Sequence, residues 1–445
     1  MKGLIFTYVM CYGGSVVALV KPWYGLLAYV CFAIIKPASL WDWSVPPGNY
    51  SRIIALSLLL GWLLHGLGNW KLGAARGILI ALMGLWVWML LGGLLADNPS
   101  VCFTALEALS KIFLPVVVGL TLVSTTSQIM SLAWTIVLSQ GYLAFEFNLQ
   151  YLKHTFNPEE FAFAGLDNNG IGITMCSSLG LAYFLGLASR PLWAKAIAWG
   201  FGILMTHFVL FSLSRGAMLA LGVTFAVAFV VMPKRPVHWA TFAAAAIVTL
   251  VLAGPSVQKE FFSSFDNRDR LDNSASSRLD NWLICIAMMK DRPVFGVGLD
   301  HFPLMVDGYL GGTGIASSRL VRAGREAHTL WLQLGAELGI PGLLFLLSFY
   351  GGCALKLWPI ARKPHRYPHL DPATLSIARG VIASLAGFAV SAQFVTIEGV
   401  ELPYYVALLG ASLLKVQSTA VSLRGQPTVE HEVPLSGSLG NRHAF

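Results

Sequence analysis

The chain has 445 residues, 56% of them hydrophobic and only 12% charged, with a formal net charge of +8. Soluble domains carry about 25% charged residues, so the composition excludes that class and describes an integral membrane protein. The basic excess lies in short loops between apolar runs, a positive-inside distribution, so nucleic acid is not an expected partner.

Met1-Lys2-Gly3 followed by an apolar run has a signal-like start, but no small-x-small cleavage site precedes Lys21-Pro22, which predicts a retained first span. Apolar runs then recur near 3–20, 23–36, 53–68, 77–95, 104–124, 128–151, 171–189, 196–212, 216–232, 238–254, 328–352, 373–394 and 403–416. They match the ~20 residues a spanning helix needs and lack the alternation of a β-barrel. The fold class is therefore all-α polytopic, with about 12 (twelve or thirteen) spans. Lys71, Arg76, Arg190, Lys195, Lys234, Arg235, Lys356, Arg362, Lys363 and Arg366 mark one side as cytoplasmic. The expected division is 1–254, N-terminal spans; 255–327, a long extracytoplasmic loop; 328–416, C-terminal spans; and 417–445, a cytoplasmic, disordered tail. The six cysteines include no Cys-x-x-Cys pair and support neither a disulfide framework nor a cysteine metal site.

The long loop holds nine basic and nine acidic residues, so it is charge-balanced and exportable. A connection of this length signals function rather than mere linkage. Within it, Ser274–Ser277 reads as a cap for an amphipathic helix over 278–289, whose Trp282 and aliphatic residues suit a bilayer surface. The run from Tyr309 to Ser318 reads as a flexible connector.

Several polar groups gather on the extracytoplasmic side, and each has two readings. Arg215, within Ser212-Leu-Ser214-Arg215-Gly216, is either a snorkelling interface residue or a phosphate ligand held by a tight turn with Ser214. Asn168 and Asn169 either form a helix N-cap turn or recognise sugar. Arg319, Arg322 and Arg325 form a stripe that either anchors on headgroups or, with Arg215 and Arg278, neutralises a pyrophosphate. His328, where the loop re-enters apolar helix, either caps that helix or acts as a general base. Glu337 lies 2.5 turns further on and reads as a buried structural partner, with Gly339 and Gly342 beside it; Glu398 and Glu401 are further acidic candidates. No Walker A motif, Gly-x-Ser-x-Gly elbow, zinc spacing or Asp-x-Asp pair is present. Any glycosyl transfer here would therefore be metal-free, without a cofactor, and use a lipid-linked rather than a nucleotide donor.

The ordered set Ser214-Arg215-Gly216, Arg278-x-x-x-Trp282, Asp291-Arg-Pro293-Val-Phe-Gly296-Val-Gly298-Leu-Asp-His-Phe302, and His328 with Glu337-Leu-Gly-Ile-Pro-Gly342 resembles the O-antigen ligase and O-antigen polymerase superfamily. The resemblance implies transfer of a glycan from undecaprenyl pyrophosphate to an acceptor at the periplasmic face of the inner membrane, with inversion at the anomeric carbon. It implies His328 as the base, and Arg215 and Arg278 holding the pyrophosphate. Within the superfamily the expected member is a lipopolysaccharide O-antigen ligase acting on lipid A–core, because one moderate loop without an added soluble domain suits a lipid acceptor. Polymerases and protein O-oligosaccharyltransferases are the alternatives; Lys21-Pro22-Trp23 and Lys36-Pro37 resemble O-glycosylation ligases of exosortase systems. A polysaccharide flippase is the alternative of another class. It is disfavoured because the spans read as nearly charge-free, whereas transporters carry charges at mid-membrane.

Overall fold

The computed structural model describes residues 1–158, 160–255, 257–258, 273–313, 326–368, 370–396 and 399–424; of 273–277, 310–313 and 420–424 only the backbone is described. Each expected apolar run is occupied by helix. The chain is an all-α polytopic membrane protein; among the described residues, eight helices are long and apolar enough to cross a membrane. The N-terminal helices are α1 (Lys2–Val20), α2 (Pro22–Ile35), α3 (Pro37–Leu40), α4 (Tyr50–Leu64), α5 (Arg76–Leu95), α6 (Pro99–Leu122) and α7 (Thr126–Leu152). After a small hairpin come α8 (Asn168–Ala188), α9 (Leu192–Phe211), α10 (Arg215–Val231) and α11 (Pro236–Leu252). The long loop carries α12 (Asn273–Asp291) and α13 (Phe302–Thr313), and the C-terminal part is α14 (Leu330–Arg362), α15 (Pro372–Ser391) and α16 (Glu401–Arg424).

Local sequence sets many of these boundaries. Proline occupies the first turn of α2, α3, α6, α11 and α15, where its missing N–H costs no hydrogen bond. Thr125 and Gln128 close α7 as a capping box, and Asp371 accepts from Ala373 N and Thr374 N at the start of α15. Ala162–Phe163 and Leu166–Asp167 pair antiparallel across Ala164 and Gly165, both at positive φ, the backbone a two-residue hairpin requires. The hairpin delivers Asp167 to the N-terminus of α8, where its carboxylate accepts from Gly170 N at 2.8 Å.

In hydrocarbon, helices associate through close packing and interhelical hydrogen bonds. The α8–α15 pair shows both: a Cβ on Gly180 would stand 2.7 Å from that of Ala383, and Leu181 N donates to Ser384 Oγ at 3.0 Å. The N-terminal end of α8 and the C-terminal end of α15 both reach the corner that holds the candidate site.

Five expectations change. Ser274–Ser277 lie inside α12 rather than capping it, since the helix starts at Asn273. The apolar face of α12 meets protein: Ile284, Cys285 and Met288 pack with Val297, Phe302 and Val306. Tyr309 to Thr313 are helical, because α13 is held at its first residue and buries Phe302 and Val306; residues 314–318 lie outside the described residues. Finally, α16 continues to Arg424, eight residues into the expected tail, and the spans are not charge-free. Lys415, 2% exposed, donates to Asn69 O, Leu120 O and Thr121 O, satisfying carbonyls at the C-terminus of α6.

Candidate active site

His328 sits between two buried residues, Ala327 and Thr329, and is itself half-buried. Its φ of 51° lies in the left-handed region, which is uncommon for a residue with a Cβ. Such a conformation costs about 1–3 kcal/mol and persists only where the surroundings over-determine it. Four hydrogen bonds do so here. Asn281 Nδ2 donates to Glu326 O at 2.8 Å, and Ala327 N donates to Gln333 Oε1 at 3.2 Å. Leu330 N donates to Ala392 O at 2.8 Å, and Thr329 Oγ1 caps α14 by accepting from Leu332 N.

These bonds join His328 to α12 on one side and to the turn after α15 on the other. That turn, residues 392–396, is the hub of the corner. Thr396 Oγ1 donates to Gln333 Oε1 at 2.8 Å. Phe394 lies 6.3 Å from the Trp282 ring, centroid to centroid, and so close to Gly216 that a Cβ there would stand 2.9 Å from its own. Glycine at 216 is therefore what lets the Arg215 turn approach the hub. The turn itself has Leu213 at φ 55° and Ser214 as N-cap of α10, accepting from Ala217 N. Asn168 Nδ2 donates to Ser212 O at 2.8 Å, tying the start of α8 to the same turn.

These contacts join the segments that carry His328, Arg215, Arg278, Trp282 and Asn168, with Arg215 in the first turn of α10 and Arg278 in the second turn of α12. Both arginines are half-buried. The starts of α8, α10 and α14 meet there, capped by Asp167, Ser214 and Thr329. Ser214 is buried, and its hydroxyl accepts from Ala217 N as the cap of α10. Asn169 donates to Asp167 Oδ2 at 2.8 Å, within the cap of α8. Arg322 and Arg325, like Arg319 and Glu398, lie outside the described residues. Glu401 pairs with Lys36 at 3.2 Å, an ion pair at the starts of α16 and α3.

The carboxyl groups have an electrostatic pattern of their own. Partial burial, then the charges of Asp167 and Asp300, push the Glu326 carboxyl above its ordinary range. Burial likewise pushes Asp300 up, with His301 opposing. Among the described residues no three His, Cys, Asp or Glu side chains are grouped as metal ligands would be.

Glu337, Gly339 and Gly342 explain how the loop docks. At Gly339 (φ 70°, ψ −176°) the helix is broken, which frees backbone groups on either side. The segment 293–298 takes them up: Val297 N donates to Ala336 O, Gly298 N to Glu337 O, and Ile340 N to Pro293 O, at 2.8–2.9 Å. Gly296 and Gly339 permit this approach, since a Cβ on either would stand 2.4 or 2.2 Å from backbone across the seam. The fully buried Glu337 carboxyl then accepts from Asp300 N at 2.8 Å, from Phe302 N at 3.0 Å and from Gln333 Nε2 at 3.2 Å. Trp88 closes the seam from α5, donating to Leu338 O and stacking on Phe295 at 4.6 Å; a Cβ on Gly342 would stand 2.4 Å from that of Leu338 and 3.3 Å from the Trp88 ring. The two sequence motifs are one structural unit.

Gln333 is the main residue that sequence reasoning missed. A glutamine four residues before a glutamate within an apolar run was the available signal, since that spacing shares a helix face. Asn281, Phe394 and Thr396 carried none, because their roles exist only once distant segments meet.

Residues 200–347 match the family model for O-antigen ligase, from α9 into α14 and across Arg215, Arg278, Trp282, His328, Glu337, Gly339 and Gly342. Over this third of the chain the protein is similar to the O-antigen ligase family. No curated protein matches the chain. The matched stretch contains every catalytic and arginine candidate, while Asn168 and Asn169 fall before it.

Proposed function

We propose that the protein is an O-antigen ligase that transfers a glycan from undecaprenyl pyrophosphate to lipid A–core at the periplasmic face of the bacterial inner membrane. The observation that carries this reading is the contact chain tying the His328 segment to α12, which bears Arg278, and to the turn after α15, which packs on the Arg215 turn. It supports a reading in which one base and two cations serve the same corner.

In this mechanism His328 takes the proton from the acceptor hydroxyl as its oxygen attacks the anomeric carbon. The C1–O bond to the pyrophosphate breaks on the opposite side, inverting the configuration. Arg215 and Arg278 hold the departing pyrophosphate, whose negative charge grows as that bond breaks, and Arg322 and Arg325 are assigned to the same anion. Trp282 and Asn168 are assigned to the substrate's sugar-proximal part, with Asn169 beside them. Glu337, Gly339 and Gly342 dock the loop and so set where α12 and α13 stand. The active site faces the periplasm, with twelve or thirteen spans, and membrane lipids surround it. The mechanism needs no metal.

Purified protein with undecaprenyl-pyrophosphate glycan and rough lipopolysaccharide tests this reading. Glycan on lipid A–core is the expected product. Elongation of the donor glycan without lipopolysaccharide would instead identify a polymerase, and transfer to protein Ser or Thr a protein ligase.

A further inference from the structure

A cleft of about 630 Å³ opens between α2, α4 and α6, within the size range of ligand sites. Its floor is apolar, formed by Leu56, Leu59, Leu114 and Val118, and Leu56 and Leu114 are 60% and 44% exposed. Arg52 and Lys111 stand on its wall.

Lys111 and its partner Glu107 are out of place for a membrane span, and Arg52 stands at the start of α4. Glu107 and Lys111 lie eight and twelve residues after Pro99, about 12 and 18 Å along α6, inside a segment apolar enough to cross a membrane. Charged side chains at that depth are costly, and by default they mark function. Arg52 and Lys111 both pair with Glu107, at 3.3 and 2.9 Å, so two cations share one carboxylate and the triad carries a net positive charge. Both cations stay about half exposed, at 54% and 51%. A guanidinium has five N–H donors and an ammonium three, so one carboxylate leaves donors to spare. Lys36 and Glu401 balance each other at the cleft's edge, where they also line a smaller cavity reaching Leu166 and Ile171.

We infer that this cleft binds an anionic lipid, its phosphate on Arg52 and Lys111 and an acyl chain along Leu56, Leu59, Leu114 and Val118. A cationic wall above an apolar floor is complementary to both halves of such an amphiphile, whereas a soluble anion would leave the floor uncovered. The inference stands apart from the transfer reaction and needs none of the residues assigned to it.

Native mass spectrometry of the full chain in detergent, titrated with phosphatidylglycerol or phosphatidylcholine, tests it. Phosphatidylglycerol should be retained preferentially, and Arg52→Gln with Lys111→Gln should cut that retention at least about tenfold, the effect of one charge-assisted hydrogen bond. Glu107→Gln should act in the opposite direction and strengthen retention, because it removes the carboxylate that competes with the phosphate. A triad with only a structural role would weaken with Glu107→Gln, so this variant decides even if the double variant fails to fold. Equal retention of the two lipids, an unchanged double variant, or full displacement of phosphatidylglycerol by inorganic phosphate would overturn the inference.

Discussion

Replacing Glu337 tests whether the break in α14 is what holds the long loop in place. Its two carboxyl oxygens accept from Asp300 N, Phe302 N and Gln333 Nε2 inside protein that excludes water. Glutamine keeps one acceptor oxygen and turns an NH₂ toward a backbone donor, so at least one buried N–H goes unpaired. Each such group costs about 1–3 kcal/mol. Alanine removes both acceptor oxygens and with them all three hydrogen bonds, and its cost should reach about 3–6 kcal/mol, limited by relaxation of residues 300–302. Because the lost contacts are local, the expected result is local opening rather than global unfolding. An opening made easier by ~2 kcal/mol accelerates amide exchange about 30-fold. Hydrogen exchange over 298–309 should therefore quicken in the order native, Glu337→Gln, Glu337→Ala, while 171–188 in α8 stays unchanged. Exchange in 298–309 within about twofold of native in the alanine variant would refute the reasoning.

Gly339→Ala should open the same segment: its Cβ would stand 2.2 Å from Val294 O at a φ of +70°, and clash plus strain should cost about 2–4 kcal/mol, read as a lower melting temperature and lost glycan transfer. Glu326→Gln should change the pH dependence of stability. A carboxyl held above its ordinary value of 4.5 favours the folded state while protonated, so native stability falls as pH rises from 4.5 through the folded value. The variant escapes that loss, so its melting temperature relative to native should rise over this interval and be flat below it. Arg215→Ala should lower transfer about 10²–10³-fold, as removal of one donor to a developing anion does, without altering insertion into the membrane.

Much of the fold was legible because membrane spans are written in composition: each apolar run became a helix, and Asp167, Ser214 and Thr329 mark helix starts by their caps. The candidate site was legible in parts. His328, Arg215 and Arg278 stood out as polar groups at the ends of apolar segments or in the loop. What the sequence hid was the seam: the motifs mark Gly296, Gly339 and Glu337, and Glu337 reads as a buried structural partner, but that 293–298 lies across a broken helix emerges only in tertiary contact, which alone satisfies the freed backbone groups. Lys415 escaped notice for the same reason, its three carbonyl partners belonging to a loop and helix some three hundred residues away.

The most direct measurement is transfer by purified His328→Ala protein, supplied with undecaprenyl-pyrophosphate glycan and rough lipopolysaccharide. Loss of transfer in a variant that folds and inserts as the native protein does is the predicted result. Full transfer by that variant would contradict the assignment of His328 as the base.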